Sequence, residues 1–180
     1  MEWFDLMDAT GRKTGEKKER EAVHRDGDWH QSVHVWVIRN GEVLLQKRAA
    51  DKECFPGCWD AACTGHVSAG EDILEGALRE LREEIGVQAK PEALRYLFTQ
   101  QLCVHSGAFC SNEWNDVFLL DPAELPEKLQ FQREEISAVK WMDAALLGER
   151  ILMHDPLYCM SAEEYRQVYR QYSQLPREAL

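Results

Sequence analysis

Read for the alternation of apolar and polar positions, the chain opens in extended segments. Residues 3–8 and 13–17 flank the turn-forming Ala9-Thr10-Gly11 and predict a hairpin. A short helix is expected over 18–24. A strand follows over about 30–39, where Val33, Val35, Trp36, Val37 and Ile38 concentrate. Asn40-Gly41 is a two-residue hairpin signal, because both residues tolerate positive φ. It predicts a return strand from Glu42 to Lys47 through Val43, Leu44 and Leu45. A loop with Phe55-Pro56-Gly57 and Trp59 then leads into a short strand entering Gly65.

Over about 71–85 the period changes. Leu74, Ala77, Leu78, Leu81 and Ile85 recur at helical spacing, and Gly86 is suited to end the helix. Beyond Pro91 the pattern is extended again: 94–104 and 114–120 read as paired strands around a polar loop, and 135–141 as a further strand. Helices are expected near 143–150 and over 161–173, the second presenting Tyr165, Val168, Tyr169 and Tyr172 to a core or interface. Strands interspersed with a few helices predict an α/β fold, a mixed β-sheet packed between helices. One domain over 1–180 is the expectation, with an N-terminal extension over 1–28, a core over 29–150 and a C-terminal helical segment over 151–180.

Composition narrows the classes of function. The chain is 44% hydrophobic with six Trp, enough to build a core. A net charge of −11 argues against a nucleic-acid polymer as partner. It leaves room for a nucleotide, since metal ions and a few local cations can hold a diphosphate. No apolar run approaches a membrane span, so no membrane partner is expected. The opening MEWFDLMDATGRKTGEKKER lacks the basic-then-apolar order of a signal peptide, which makes a cytoplasmic location the expectation. The six cysteines then read as thiols. Cys54, Cys58 and Cys63, spaced C-x3-C-x4-C, fit small buried residues better than zinc ligands. The oligomeric state is left open, a homodimer included.

The helix over 71–85 carries the candidate chemistry. At about 100° per residue, Glu80, Glu83 and Glu84 share one sector apart from the apolar stripe, with Gly76 one turn earlier leaving it open. Glu83 and Glu84 sit near the helix end where the dipole disfavours acids, and Glu80 and Glu84 repel at i,i+4 by about 0.2–0.5 kcal/mol. A cluster that costs stability in two ways points to a hard cation that compensates, and Mg2+ takes a few carboxylates while keeping waters for phosphates to replace.

The stretch GHVSAGEDILEGALRELREEIGV, residues 65–87, resembles the Nudix box: Gly65, then Glu71, then Arg79-Glu80-Leu81, Glu83-Glu84 and Gly86-Val87 at the required spacing. The resemblance implies an α/β/α sandwich and an enzyme hydrolysing a diphosphate linked to another group, with Mg2+ as cofactor and Mn2+ as its alternative. It implies metal ligation by Glu80, Glu83, Glu84 and the Gly65 carbonyl, with Arg79 orienting a box glutamate. The general base is left among Glu84, Glu83, Glu113 and Asp116.

More of the chain is similar to one branch of that superfamily, which contains type I isopentenyl diphosphate isomerase and hydrolase-like relatives. The segments FDLMDATGRKTGEKKEREAVH, HQSVHVWVI, LLQKRAADKECFPGCWD and TGH carry this. The likeness implies a second metal site at His24, His30, His66 and Glu113, although Ser111 stands where one glutamate is expected. Zn2+ or Mn2+ suits that N/O donor set. Arg20, Arg48 and Lys52 fall where the branch holds its diphosphate. The isomerase's cysteine position is Thr64 here, with Cys63 one residue early and therefore on the opposite face of a strand. The nearest C-terminal aromatic to the isomerase's tryptophan is Tyr158. These departures favour hydrolysis of a nucleoside diphosphate-X or similar small metabolite over two alternatives: isomerisation of isopentenyl diphosphate, or nucleotide sensing without turnover.

Overall fold

A computed structural model describes residues 2–107 and 109–175. The chain opens with a hairpin, β1 (Trp3–Met7) and β2 (Lys13–Glu19), followed by α1 (Arg20–Asp26). The long strand β3 (Trp29–Arg39) turns through Asn40 and Gly41, both at positive φ, into β4 (Glu42–Arg48). Short strands β5 (Trp59–Asp60) and β6 (Cys63–His66) precede helix α2 (Ile73–Ile85). Strands β7 (Leu94–Ser106), β8 (Phe109–Leu120) and β9 (Ile136–Asp143) and helices α3 (Ala144–Leu152) and α4 (Ala162–Tyr172) complete the described fold.

The main sheet is mixed, with the order β5-β4-β3-β8-β7, β6 added on β3 and β9 on β4. Strands β3 and β8 run parallel from Trp29↔Asn112 to Val37↔Leu120. Two apolar layers cover the two faces. Val33, Val35 and Val37 pack with Ala77, Leu81 and Ile85 of α2. Trp36 and Ile38 point the other way and pack with Leu147 and Ile151 of α3 and Tyr165 and Val168 of α4. The period-2 alternation of β3 thus serves two helical layers, which makes an α/β/α sandwich.

The sheet opens where the site will lie. Strands β3 and β4 pair only beside their turn, at Ile38↔Val43 and Arg39↔Glu42. Beyond it β3 takes β6 as a partner, from Val35↔Cys63 to Ser32↔His66. Strand β4 takes β9 and, at Gln46↔Asp60 and Lys47↔Trp59, β5. The strands diverge and leave a gap bridged by side chains instead of backbone ladders.

Several boundaries differ from the sequence reading. The polar loop expected between 104 and 114 is strand: β7 and β8 continue pairing through His105↔Cys110 and Ser106↔Phe109. Polar residues there keep a strand because cross-strand pairing, not composition, decides. This places Ser111 and Glu113 on rigid backbone. Lys18, expected in the first helix, belongs to β2. The box helix begins at Ile73, two residues late, because Asp72 caps it: its side chain accepts from Leu74 N, and Glu75 closes a capping box. Such a cap contributes ~1 kcal/mol. Gly86 ends the helix at φ 72°, where an L side chain would be strained.

Candidate functional site

Helix α2 approaches the sheet where β6 carries a glycine. A Cβ on Gly65 would lie 2.6 Å from Glu80 Oε1 and closer still to its carboxylate carbon. Only a residue without a side chain lets Glu80 pass. Glu84, one turn on, accepts from Thr64 N at 3.2 Å and from Gln46 Nε2 at 3.5 Å, and Gln46 also donates to Thr64 Oγ1 at 3.2 Å. Glu84 thereby spans the gap between β4 and β6. Glu80 and Glu84 are buried, whereas Glu83 is half-exposed. The three therefore do not form one solvated acidic face. Burial, with Glu80 nearby, pushes the Glu84 carboxyl up to about 8. Gly76 does not open the sector as its position suggested: it lies under Val67 and the Glu71 carboxylate, 3.3 and 3.2 Å from where its Cβ would be.

Arg79 organises this helix face. It donates to Glu71 through Nε and Nη2 (2.9 and 3.0 Å), to Glu80 and Glu83 through Nη1 (2.8 and 3.2 Å), and to the His66 carbonyl (2.9 Å). Its planar fork fixes several carboxylates at once, which a lysine could not do.

A cavity of about 710 Å³ lies above this gap, and Gly65, Glu80, Glu83 and Glu84 line one side of it. Arg20, Arg48 and Lys52 line it as well. Each cation has a carboxylate at hand: Arg20 binds Glu2 at 2.8 Å, Arg48 lies 3.7 Å from Asp60, and Lys52 pairs with Glu135.

At the β1 side, His24 (α1), His30 (β3) and His66 (β6) come together, with ligand-capable nitrogens all within 4.8 Å of one another. Phe4 of β1, fully buried, stacks on His30 and His66 with ring centroids 5.1 and 4.9 Å away. The Nε2 atoms of all three histidines are buried without a hydrogen-bond partner. Burial, reinforced by the neighbouring imidazoles, lowers His24 to about 3 and His30 to about 4, so both are neutral at pH 7. Converging imidazoles whose Nε2 atoms lack partners fit a transition-metal ion. Glu113 adds a carboxylate 3.6 Å from His66 Nε2, and Ser111 donates to it at 2.5 Å. Burial opposes its charge, yet His66, His30 and Ser111 hold its carboxyl well below the usual range.

Other sequence candidates fall elsewhere. Asp116 is three residues from Glu113 on β8, on the sheet's other face, and binds Thr99. Cys63 is fully buried in the α2-side core, whereas Thr64 lines the cavity, as a one-residue offset on a strand requires. Tyr158 does not reach the cavity; its hydroxyl contacts Lys140 Nζ at 3.1 Å and Met142 Sδ at 3.4 Å. Cys54, Cys58 and Cys63 form no metal-binding cluster among the described residues.

Polar residues on the cavity's α4 side are not among the candidates that the motifs single out. His34 and Glu164 both line it and bond each other at 2.8 Å. The available signal was a histidine between Val33 and Val35, inside a strand otherwise apolar at that point.

A family model described as "NUDIX domain" matches residues 28–162. Nudix hydrolase 3 of Arabidopsis thaliana is 42% identical over 164 residues, 87% of this chain. The chain spans only 21% of that relative's length. An isopentenyl-diphosphate Delta-isomerase of Jannaschia sp. is 33% identical over 136 residues, covering 74% of each chain. The crystal structure of DR0079 from Deinococcus radiodurans superposes with a TM-score of 0.70 at 24% identity, over 94% of this chain and 100% of that one. This last likeness is one of fold.

Proposed function

This chain belongs to the Nudix family, in the branch similar to isopentenyl-diphosphate isomerase, and on that premise we propose that it hydrolyses a diphosphate linkage in a nucleoside diphosphate-X or related small metabolite. The observation that carries the reading is the passage of Glu80 past Gly65, which puts buried box carboxylates and the cations Arg20, Arg48 and Lys52 around one cavity. Glu80, Glu83 and Glu84, with the Gly65 carbonyl, would hold Mg2+, or Mn2+ in its place; their all-oxygen donor set fits a hard cation. His24, His30, His66 and Glu113 would hold a second ion, for which their N/O set suits Zn2+ or Mn2+. A bound divalent cation supplies positive charge against the phosphate oxygens and acidifies water.

The chain's own residues do the rest. Arg79 fixes Glu80 and Glu83 so that they need no reorientation. Arg20, Arg48 and Lys52 exchange carboxylate partners for phosphate oxygens. Water attacks one phosphorus, the bridging P–O bond breaks, and the water's proton passes to a cavity carboxylate. Glu84, Glu83 and Glu113 line the cavity and are the candidate bases. The reading is of a cytoplasmic enzyme for small molecules rather than polymers or membranes. No helix among the described residues is long and apolar enough to cross a bilayer.

A second reading, isomerisation of isopentenyl diphosphate, draws support from the histidine trio beside Glu113. It lacks a thiol in the cavity at residue 64.

The test is to incubate the protein and Mg2+ with nucleoside di- and triphosphates, nucleotide sugars and isopentenyl diphosphate, and to identify products by mass. Cleavage between phosphorus atoms, abolished by chelation, is expected. Intact diphosphates throughout, with or without added metal, overturn the hydrolase reading.

A further inference from the structure

Strand β3 carries a polar row on the face that looks towards α4. His30, Ser32 and His34 alternate along it before Trp36 returns the face to apolar packing. Neighbouring residues tie the row together. Asn115 donates to Ser32 Oγ at 3.0 Å, and Gln100 donates to Asn115 Oδ1 at 3.2 Å and to Glu164 Oε2 at 2.6 Å. Glu164, in the first turn of α4, is 1% exposed. Its Oε1 accepts from Trp36 Nε1 and meets His34 Nδ1, each at 2.8 Å.

A buried carboxylate with three partners is an expensive way to fill space, since a hydrophobic group of the same volume is often no less stable. What this arrangement achieves is orientation. With Nδ1–H donated to Glu164, the nitrogen His34 can offer to the cavity is Nε2, and the carboxylate partner favours the imidazolium, in which Nε2 carries a proton as well and donates. The same cavity is lined by Leu102, Met160 and Ser161 as well as by the polar Thr64 and Asp60. A fixed polar group in a wall that also offers apolar side chains is how ligand pockets read the organic part of a ligand. His34 stands opposite Thr64, two residues along β6 from His66, roughly 7 Å at the usual rise. The cavity therefore carries His66 of the histidine trio and, displaced along the strands at the Thr64 level, the oriented donor of His34.

We propose that His34 is a specificity-determining residue whose Nε2–H binds an acceptor oxygen, carbonyl or hydroxyl, on the non-phosphate part of the substrate, with Glu164 as its positioning residue. The substrate class is then a sugar- or nucleoside-bearing diphosphate rather than a hydrocarbon one. This rests on the hydrolase reading above for the diphosphate, not for the acceptor.

The test measures binding rather than turnover, so a failure of hydrolysis and a failure of this inference are distinct. Calorimetry compares a methylene-bridged nucleoside diphosphate sugar with methyl diphosphate, in Mg2+, on the wild-type chain, His34→Asn and His34→Gln. Asparagine keeps a donor for Glu164 but is too short to present a second nitrogen, so the buried carboxylate stays satisfied. The wild-type chain should bind the sugar compound at least tenfold more tightly than methyl diphosphate. His34→Asn should remove that preference and leave methyl diphosphate affinity within about twofold. Should His34→Asn misfold, Glu164→Gln carries the test, because it keeps the hydrogen bond and removes the charge that orients the ring; it should reduce the preference by threefold or more. His34→Gln, with a donor of longer reach, should recover part of it. A wild-type chain without the preference, or a preference that survives in both His34→Asn and Glu164→Gln, overturns the inference.

Discussion

Gly65 and Glu80 share one volume: the glutamate's carboxylate stands where a side chain at residue 65 would be, with Glu80 Oε1 2.6 Å from the Cβ position. The glycine is required by close approach, not by backbone conformation. Gly65→Ala should therefore force α2 or β6 to shift. Overpacking of this kind costs about 1–3 kcal/mol. Calorimetry should show a lower Tm, and turnover should fall by at least about tenfold because Glu80 leaves its position. A variant with unchanged Tm and turnover would show that the two residues are not coupled.

Glu83→Gln and Glu84→Gln should each lower turnover by at least about tenfold, since each removes charge from the candidate metal site. Their effects on stability should part. Glu83 is half-exposed and its loss should leave Tm nearly unchanged. Glu84 is buried and its carboxyl is pushed up to about 8, so the neutral amide should maintain or raise Tm in the apo protein at pH 7. Denaturation scans beside steady-state rates check both.

The histidine trio should bind a transition-metal ion. Metal analysis after purification, or anomalous scattering after a Zn2+ or Mn2+ soak, should find an ion bounded by His24, His30 and His66. His30→Ala should lower occupancy by about tenfold or more. A site that stays vacant at millimolar Zn2+ and Mn2+ would reduce the trio to a packing cluster around Phe4.

Isopentenyl diphosphate should not be converted to dimethylallyl diphosphate at a useful rate. Thr64 faces the cavity and Cys63 lies behind the sheet, fully buried. Efficient conversion, lost on changing Glu113, would reverse the choice between the two readings of the reaction.

The His34–Glu164 pair should make stability depend on pH in a defined window. Burial opposes charge on His34, but Glu164 from α4, with Asp60 from β5 and Glu113 from β8, outweighs it and raises the imidazole from 6.5 to about 9. A raised histidine stabilises fully below its unfolded value and loses that contribution as pH rises through the folded one. The Glu164 carboxyl is lowered despite burial, so its share is present above 4.5 and lost as pH falls through its folded value. Glu164→Gln should thus cost Tm roughly 5 °C near pH 6 and progressively less as pH approaches 9. An equal loss at both pH values would mean that packing, not charge, is what the variant disturbs.

The sequence by itself determined much of the element order, the sandwich class and the family. Those depend on local regularities: the 3.6-residue apolar period from Leu74 to Ile85, the alternation in β3, the Asn40-Gly41 turn and the fixed spacing of the box acids. It also determined that Cys63 and Thr64 would face opposite ways, because side chains on a strand alternate. The tertiary structure decided what lies across the gap between β3 and β4. Helical spacing placed Glu80 and Glu84 in a sector, but their burial follows from β6 offering Gly65 to pass. The extent of β7 and β8 was hidden by polar residues whose strand conformation comes from each other's backbones. The partnership of His34 with Glu164 joins residues 130 positions apart. No local pattern encodes it, because the energy that holds a buried ion pair arises only when the fold has removed both partners from water.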